Sequence, residues 1–406
     1  MLVIFSLSAN GADIAINGKL NTWAATTVNT VDKDSKASDS VGFLYVIAEL
    51  NTTVKLADNV KVVLEIELND KVSDGASMKN GAKYTGGNGG PNPATVEVDE
   101  MYLQIDEFFT DALSLKIGSQ RLEYSLRGNK RSMLINSDFT AFKGKYKFEK
   151  GFVDLFYGKK SESLNINNLN TDTEIYGVHA EFNIFEGLHV IGYANYATME
   201  KVTADNSNVG TIGAGVQYFL LEKALELYGE VAFQFGDVDK NVSRSGVGAD
   251  FGARWTFKEL GSIKNLYVEL NAGYRSGEDT DTSKSTKFWN DWALSAGTLL
   301  AEGRYASESP LFQNYVANSY LAIRLETGAE FTQKLSSNLT FAYYDNTTES
   351  KDPYGLEIDL STKFKYSENV IFTGHLAAFM PDDGLTSKGA KNDTVFAIAL
   401  ETSVVF

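Results

Sequence analysis

The sequence predicts an all-β fold, a transmembrane up-and-down antiparallel β-barrel of about 18 strands. Three observations predict it. Apolar and polar residues alternate along most of the chain, short and long connections alternate between those segments, and the chain closes on an amphipathic strand ending in Phe406.

The alternation has a period of two. Val62, Leu64, Ile66 and Leu68 interleave with Glu65, Glu67 and Asn69. Leu266, Val268, Leu270 and Ala272 interleave with Tyr267, Glu269 and Asn271, and Leu356, Ile358 and Leu360 with Glu357, Asp359 and Ser361. Side chains of a strand point alternately to its two faces, so each segment has one apolar and one polar face. A soluble sandwich shows the same pattern with its apolar face inward, so the connections decide.

Short turns fall at 55–59, 107–111, 148–151, 184–187, 221–224, 258–265, 333–338 and 366–369. Longer polar links fall near 30–40, 69–94, 124–137, 160–171, 200–208, 237–245, 277–317, 346–352 and 381–391. Eight short and nine long links make 17 connections, hence 18 strands. Regular alternation of this kind marks a membrane barrel with short periplasmic turns and longer outer loops. Segments of about 10–13 residues at ~3.3 Å each cover the apolar band when tilted. Closure pairs the first strand, about 13–28, with the last, 392–406, and leaves no open edge. An even count puts both termini on the periplasmic side. Residues 13–406 form one domain. Residues 1–12, apolar and then small, look like the end of a secretory signal without its basic region.

In the last segment Phe396, Ile398, Leu400, Thr402, Val404 and Phe406 share one face, and Ala397, Ala399, Glu401, Ser403 and Val405 the other. A terminal strand of this kind resembles the C-terminal assembly signal of bacterial outer-membrane barrels. Phe406 is the candidate assembly signal, and the resemblance implies recognition by the barrel-assembly machinery. Aromatics recur where membrane interfaces belong. Phe182, Tyr218, Trp255, Phe257, Phe331, Phe364, Tyr366 and Phe406 lie at the turn ends, Tyr274, Tyr343 and Phe396 toward the loop ends. Their amphipathic rings suit the headgroup level, although aromatic pairs stabilise any sheet.

Composition narrows the function. The chain has 406 residues, 35 Gly, 5 Pro and no Cys, with a net charge of −16. The acidic balance excludes a nucleic-acid partner, which needs a basic face to neutralise phosphates. Without Cys there is no disulfide framework and no thiolate metal site. No apolar run approaches the roughly 18 residues of a membrane helix, whereas a barrel strand uses only every second residue for lipid.

With one face toward lipid, the polar residues line the bore. The expected inward bases are Lys19, Lys116, Lys143, Lys145, Lys147, Arg254, Arg275, Arg324, Lys363 and Lys365. The expected inward acids are Glu49, Glu65, Glu67, Glu100, Asp154, Glu181, Glu226, Glu230, Asp250, Glu269, Glu326, Glu330, Glu357, Asp359 and Glu401. Ten bases against 15 acids give a lumen of −5 if no strand carries a bulge. Lys143, Lys145 and Lys147 form a ladder with Lys116 on the neighbouring strand, and Glu65 and Glu67 lie on a wall a few strands away. Opposed charged walls set a transverse field that orients polar solutes; the plainer reading is a solvated bore whose charges pair across strands.

The link at 277–317 is long and apolar. Trp289, Trp292, Tyr305 and Phe312 are its constriction candidates. Such a loop either folds into the bore, packs over the mouth, or contacts lipopolysaccharide or a partner outside. The link at 69–94 is Gly-rich (Gly81, Gly86, Gly87, Gly89, Gly90).

Residues 113–158 resemble the alginate-export porin family, in which a Gly-Arg-Gln strand end, an Arg-bearing loop, a Phe-Asp-Gly strand and a VDxFY-like strand follow one another. Gly118, Gln120, Phe142, Gly144, Val153, Asp154, Phe156 and Tyr157 match, and SPLF at 309–312 is similar to a loop motif of that family. Ser119 stands where the family has Arg, and Lys143 where it has Asp. The resemblance implies an 18-strand outer-membrane channel for hydrophilic solutes. The acidic lumen argues against alginate itself.

The reading is therefore a porin for passive diffusion of small hydrophilic solutes or ions, sugars among them, in contact with outer-membrane lipid and lipopolysaccharide. The alternative is a structural or adhesive barrel with a plugged lumen. A hydrolase would need a nucleophile beside a His, and His179, His189 and His375 have no sequence motif around Ser. No phosphate-cradling loop or metal cluster stands out, so no cofactor is expected.

Overall fold

The structure, a computed structural model, describes residues 5–9, 12–29, 41–73, 95–124, 126–127, 135–161, 173–199, 207–278, 283–288, 298–301, 319–348, 352–383 and 393–406. These form twenty strands: β1 Phe5–Ala9, β2 Ala12–Val28, β3 Val41–Ala57, β4 Val60–Ser73, β5 Thr95–Ile105, β6 Leu113–Tyr124, β7 Ile135–Phe148, β8 Gly151–Ser161, β9 Thr173–Phe185 and β10 Leu188–Met199. Then come β11 Ser207–Leu220, β12 Leu225–Asp239, β13 Val242–Leu260, β14 Ile263–Arg275, β15 Lys284–Ser285, β16 Tyr320–Glu330, β17 Leu335–Asn346, β18 Gly355–Lys365, β19 Val370–Pro381 and β20 Val395–Val405.

Strands β2 to β14 and β16 to β20 form a closed antiparallel barrel of 18, the number the connections predict. The first and last barrel strands close it, from Lys19 opposite Val405 to Val28 opposite Phe396. Strand β1 pairs with the start of β2, Phe5 opposite Ile16. Strand β15 runs parallel beside Ser243 and Arg244 of β13.

Burial along the strands is the reverse of a soluble sandwich. On β12, Leu227, Val231, Phe233 and Phe235 are exposed while Tyr228, Glu230, Ala232 and Gln234 are buried. On β20, Phe396, Ile398 and Leu400 are exposed while Ala397 and Ala399 are buried. The outer face is an apolar belt and the polar atoms are turned inward. Water disfavours such a belt; a bilayer core favours it. Trp255, Phe257, Phe331, Phe364, Tyr366 and Phe406 are exposed on the outer face at the turn end, and Tyr274, Tyr343 and Phe396 toward the loop end.

Two details depart from the sequence expectation. The link expected as a long loop at 237–245 is a tight turn at residues 240–241, because β12 and β13 run on to Asp239 and Val242. Glu65 pairs with Glu100 but Ile66 pairs with Val98, which makes Asp99 a bulge in β5. A bulge resets side-chain parity, so the count made without one omits Glu97 and Asp99.

Candidate functional site

The inner face of the barrel is the site. The register puts Lys116 opposite Lys143, Lys145 opposite Asp154 and Asp154 opposite His179. Arg254 lies between Glu226 and Glu269, Glu230 opposite Asp250, and Asn271 opposite Arg324. Arg275 lies opposite Tyr320 and Glu326 opposite Glu269. Lys147 continues the Lys143–Lys145 face, and Lys363 and Lys365 continue the Glu357–Asp359 face to the turn end. These charged residues all occupy the inner face.

Two walls differ in charge balance. On β3 to β5, Glu49 is paired with Glu67 and Asn51 with Glu65, while Glu97 lies across from Glu67. The bulge sets Asp99 among them, where its charge acts on both Glu65 and Glu67. Among the described residues the cations on or beside this face include Lys19, Lys116 and, toward the turn end, Lys55 and Lys61. Lys19 reaches Glu49 at 3.5 Å and Lys116 reaches Glu100 at 3.7 Å, and Asn51 Nδ2 donates to Glu65 at 2.8 Å.

The lysine ladder on β7 is partly offset by one carboxylate. Asp154 is fully buried, with Lys143 Nζ at 3.5 Å and Lys145 Nζ at 3.8 Å. Lys145 also sits 3.6 Å over the Phe152 ring and Lys116 3.5 Å over Tyr102, the geometry of cation–π contacts. The ladder is thus less of an anion track than its spacing suggests. Compensation acts across strands, where sequence spacing cannot show it.

Two connections enter the bore. Beyond β6, Arg127 donates to Glu226 through Nε at 2.7 Å and Nη2 at 2.9 Å, and to Glu269 through Nη1 at 2.8 Å. Its guanidinium carbon lies 3.9 Å from the Tyr228 ring centroid. Glu269 also accepts from Tyr228 Oη at 2.7 Å and Arg254 Nε at 2.6 Å, and Glu226 from Gln217 at 2.7 Å. Sequence reasoning missed Arg127, since a loop has no periodicity to reveal direction. Leu126 beside it joins a packed apolar arc with Tyr124, Phe139, Tyr193, Tyr228 and Phe288.

Residues 298–301 of the long link also lie against the inner face. Glu357 accepts from Leu300 N at 2.6 Å, Ala301 N at 2.8 Å and Thr298 Oγ1 at 2.6 Å, and Asp359 accepts from Leu299 N at 2.9 Å. Leu300 and Ala301 pack on Tyr320, Tyr344 and Phe379. At the start of the link Phe288 is fully buried near Arg275. The constriction candidates Trp289, Trp292, Tyr305 and Phe312 lie outside the described residues.

No sequence motif links a Ser to a His, but the fold brings one such pair together. Ser361 Oγ is 2.7 Å from His375 Nδ1, and His375 Nε2 is 3.6 Å from Glu401. The trio resembles a hydrolytic triad in composition only. Ser361 and His375 sit in mid-strand as direct partners, where ladder pairing commits the backbone N–H groups that an oxyanion would need. It is read as cross-strand polar pairing.

No family model matches the chain, and no curated protein matches it. The resemblance to the alginate-export family is therefore not supported. Its Gly118 has a structural reason, a φ of 130°, with Met101 O 2.3 Å from where a Cβ would stand. Solved structures match along nearly the whole chain. Pseudomonas aeruginosa OprD has a TM-score of 0.59 at 9% identity, covering 97% of this chain and 95% of that one. Pseudomonas aeruginosa OccK8 (OprE) has 0.58 at 10%, covering 97% and 98%. Acinetobacter baumannii OccAB1 has 0.60 at 10%, covering 96% of each. At such identities the likeness shows the fold.

Proposed function

We propose that the chain is an outer-membrane porin, a channel for passive diffusion of small hydrophilic solutes and ions. The observation that carries this reading is the pairing of an apolar outer belt with a charged inner face on one closed 18-strand barrel. Arg or Lys facing mid-membrane lipid costs about 2–4 kcal/mol, whereas a water-filled bore solvates both signs. Among the described residues no helix is long and apolar enough to cross a membrane, and a barrel crosses with strands. The like-folded OprD and Occ structures support the same class.

The start of β2 and Phe406 lie at the turn end, an arrangement that fits periplasmic ends with the short turns on that side. The outer belt meets lipid and lipopolysaccharide, and Phe406 serves the assembly machinery. Catalysis forms no part of this reading.

The inward connections favour one competing reading, a structural or adhesive barrel with a plugged lumen. Liposome swelling separates the two. Purified protein in liposomes should admit small neutral sugars at rates falling with solute size. Swelling no faster than in protein-free liposomes, from a barrel shown to be folded by its heat-modifiable gel mobility, would favour the plugged barrel.

A further inference from the structure

We propose that Arg127 is the specificity-determining residue of the bore, a tethered guanidinium that bridges it and, with Arg254, cancels the acidic patch on the far wall. The inference rests on the channel reading and adds which residue sets conductance and ion preference together.

The topology makes the contact a bridge. Counted from β2, strand β6 is the fifth of 18 in the ring, and β12 and β14, which carry Glu226 and Glu269, are the eleventh and thirteenth. Arg127 follows β6 by three residues, so its side chain reaches carboxylates on the wall facing its own strand. Those carboxylates form a built socket. Glu226 and Glu269 are both nearly fully buried. Gln217, Tyr228 and Arg254 hold their remaining oxygen lone pairs, and the Tyr228 ring covers the guanidinium face. A planar cation with forked donors fits such a socket; a point charge on a flexible stem fits it less well.

The bridge has two consequences. It occupies cross-section between β6 and β12, where Leu126 extends the packed arc. Together with Arg254, it also offsets the charge of the two carboxylates in the electrostatics of the water path.

Three variants in planar bilayers test this, each checked first for heat-modifiable folding. In Arg127→Ala the bridge and its charge are lost together. Single-channel conductance should rise about twofold or more, and reversal potential in a salt gradient should move toward cations. In Glu226→Gln/Glu269→Gln the socket is lost and the cation kept. Conductance should rise again, but reversal potential should move toward anions. In Arg127→Lys the charge stays and the bidentate geometry goes. Conductance should rise with reversal potential nearly unchanged. A rise in all three with opposite shifts in the first two supports the bridge. If all three match the native conductance, Arg127 does not span the water path and the inference falls while the channel stands. If native protein and every variant are silent as folded barrels, both the inference and the channel reading fail.

Discussion

Glu65 on β4 lies directly across from Glu100 on β5, yet the next rung joins Ile66 to Val98, so Asp99 is left over between two inward acids. One extra residue thus adds two carboxylates, Glu97 and Asp99, to a wall already carrying Glu49, Glu65 and Glu67. In the proposed channel, ion preference should follow this wall more than the overall charge.

The first prediction concerns that wall. Glu65→Gln with Glu67→Gln should reduce cation preference at low salt. The native preference should itself fade as salt rises, because screening beyond about 8–10 Å removes it at physiological ionic strength. Reversal potentials at two salt concentrations read both effects. An unchanged potential in the double variant would remove the wall from the account.

A second prediction concerns the ladder. Asp154 sits between Lys143 and Lys145 at 3.5 and 3.8 Å. Asp154→Asn should release both ammonium groups toward the bore and shift selectivity to anions. The same change should lower stability, since removing one partner of a buried pair leaves its charge uncompensated. Thermal unfolding in detergent and reversal potential measure the two parts. If the ladder already runs free, neither will change.

Much of this was legible in the sequence. Period-two alternation at 62–68 and 266–272 assigns faces correctly, since parity is local to a strand. Link alternation gives 18 strands, and the ends meet as their lengths require. The tight turn at 240–241 was hidden because polar Asp237, Asp239 and Asn241 read equally well as loop. The Asp99 bulge was hidden because it breaks register with the partner strand while leaving composition unchanged. Arg127 and the Glu357 contacts were hidden because they join segments 99 and 56–57 residues apart, without any pattern linking them.

A third prediction concerns the long link. Glu357→Gln replaces an acceptor facing two N–H donors and a hydroxyl with a group that is partly a donor. The lost hydrogen bonds should cost about 1–3 kcal/mol and free residues 298–301 from the wall. Single-channel records should become noisier and proteolysis within the link faster. Quiet records and unchanged cleavage would show that Glu357 does not hold the link.

A fourth concerns the seam. Gly18 N donates to Phe406 O at 2.8 Å, Phe406 N donates to Gly18 O at 3.0 Å, and a Cβ on Gly18 would stand 2.5 Å from the Phe406 ring. Gly18→Val should displace the ring and weaken closure. Phe406→Ala, or loss of the last residue, should lower membrane insertion in cells. Normal insertion of the Phe406 variants would mean the terminal aromatic carries no assembly signal.

The central claim is that water and ions pass through the inside of this barrel along an acid-lined path. Native protein in a planar bilayer under a low-salt gradient tests it most directly. The account predicts discrete conductance steps with a weak cation preference. A folded, inserted barrel that passes no current, or one that prefers anions, would contradict it.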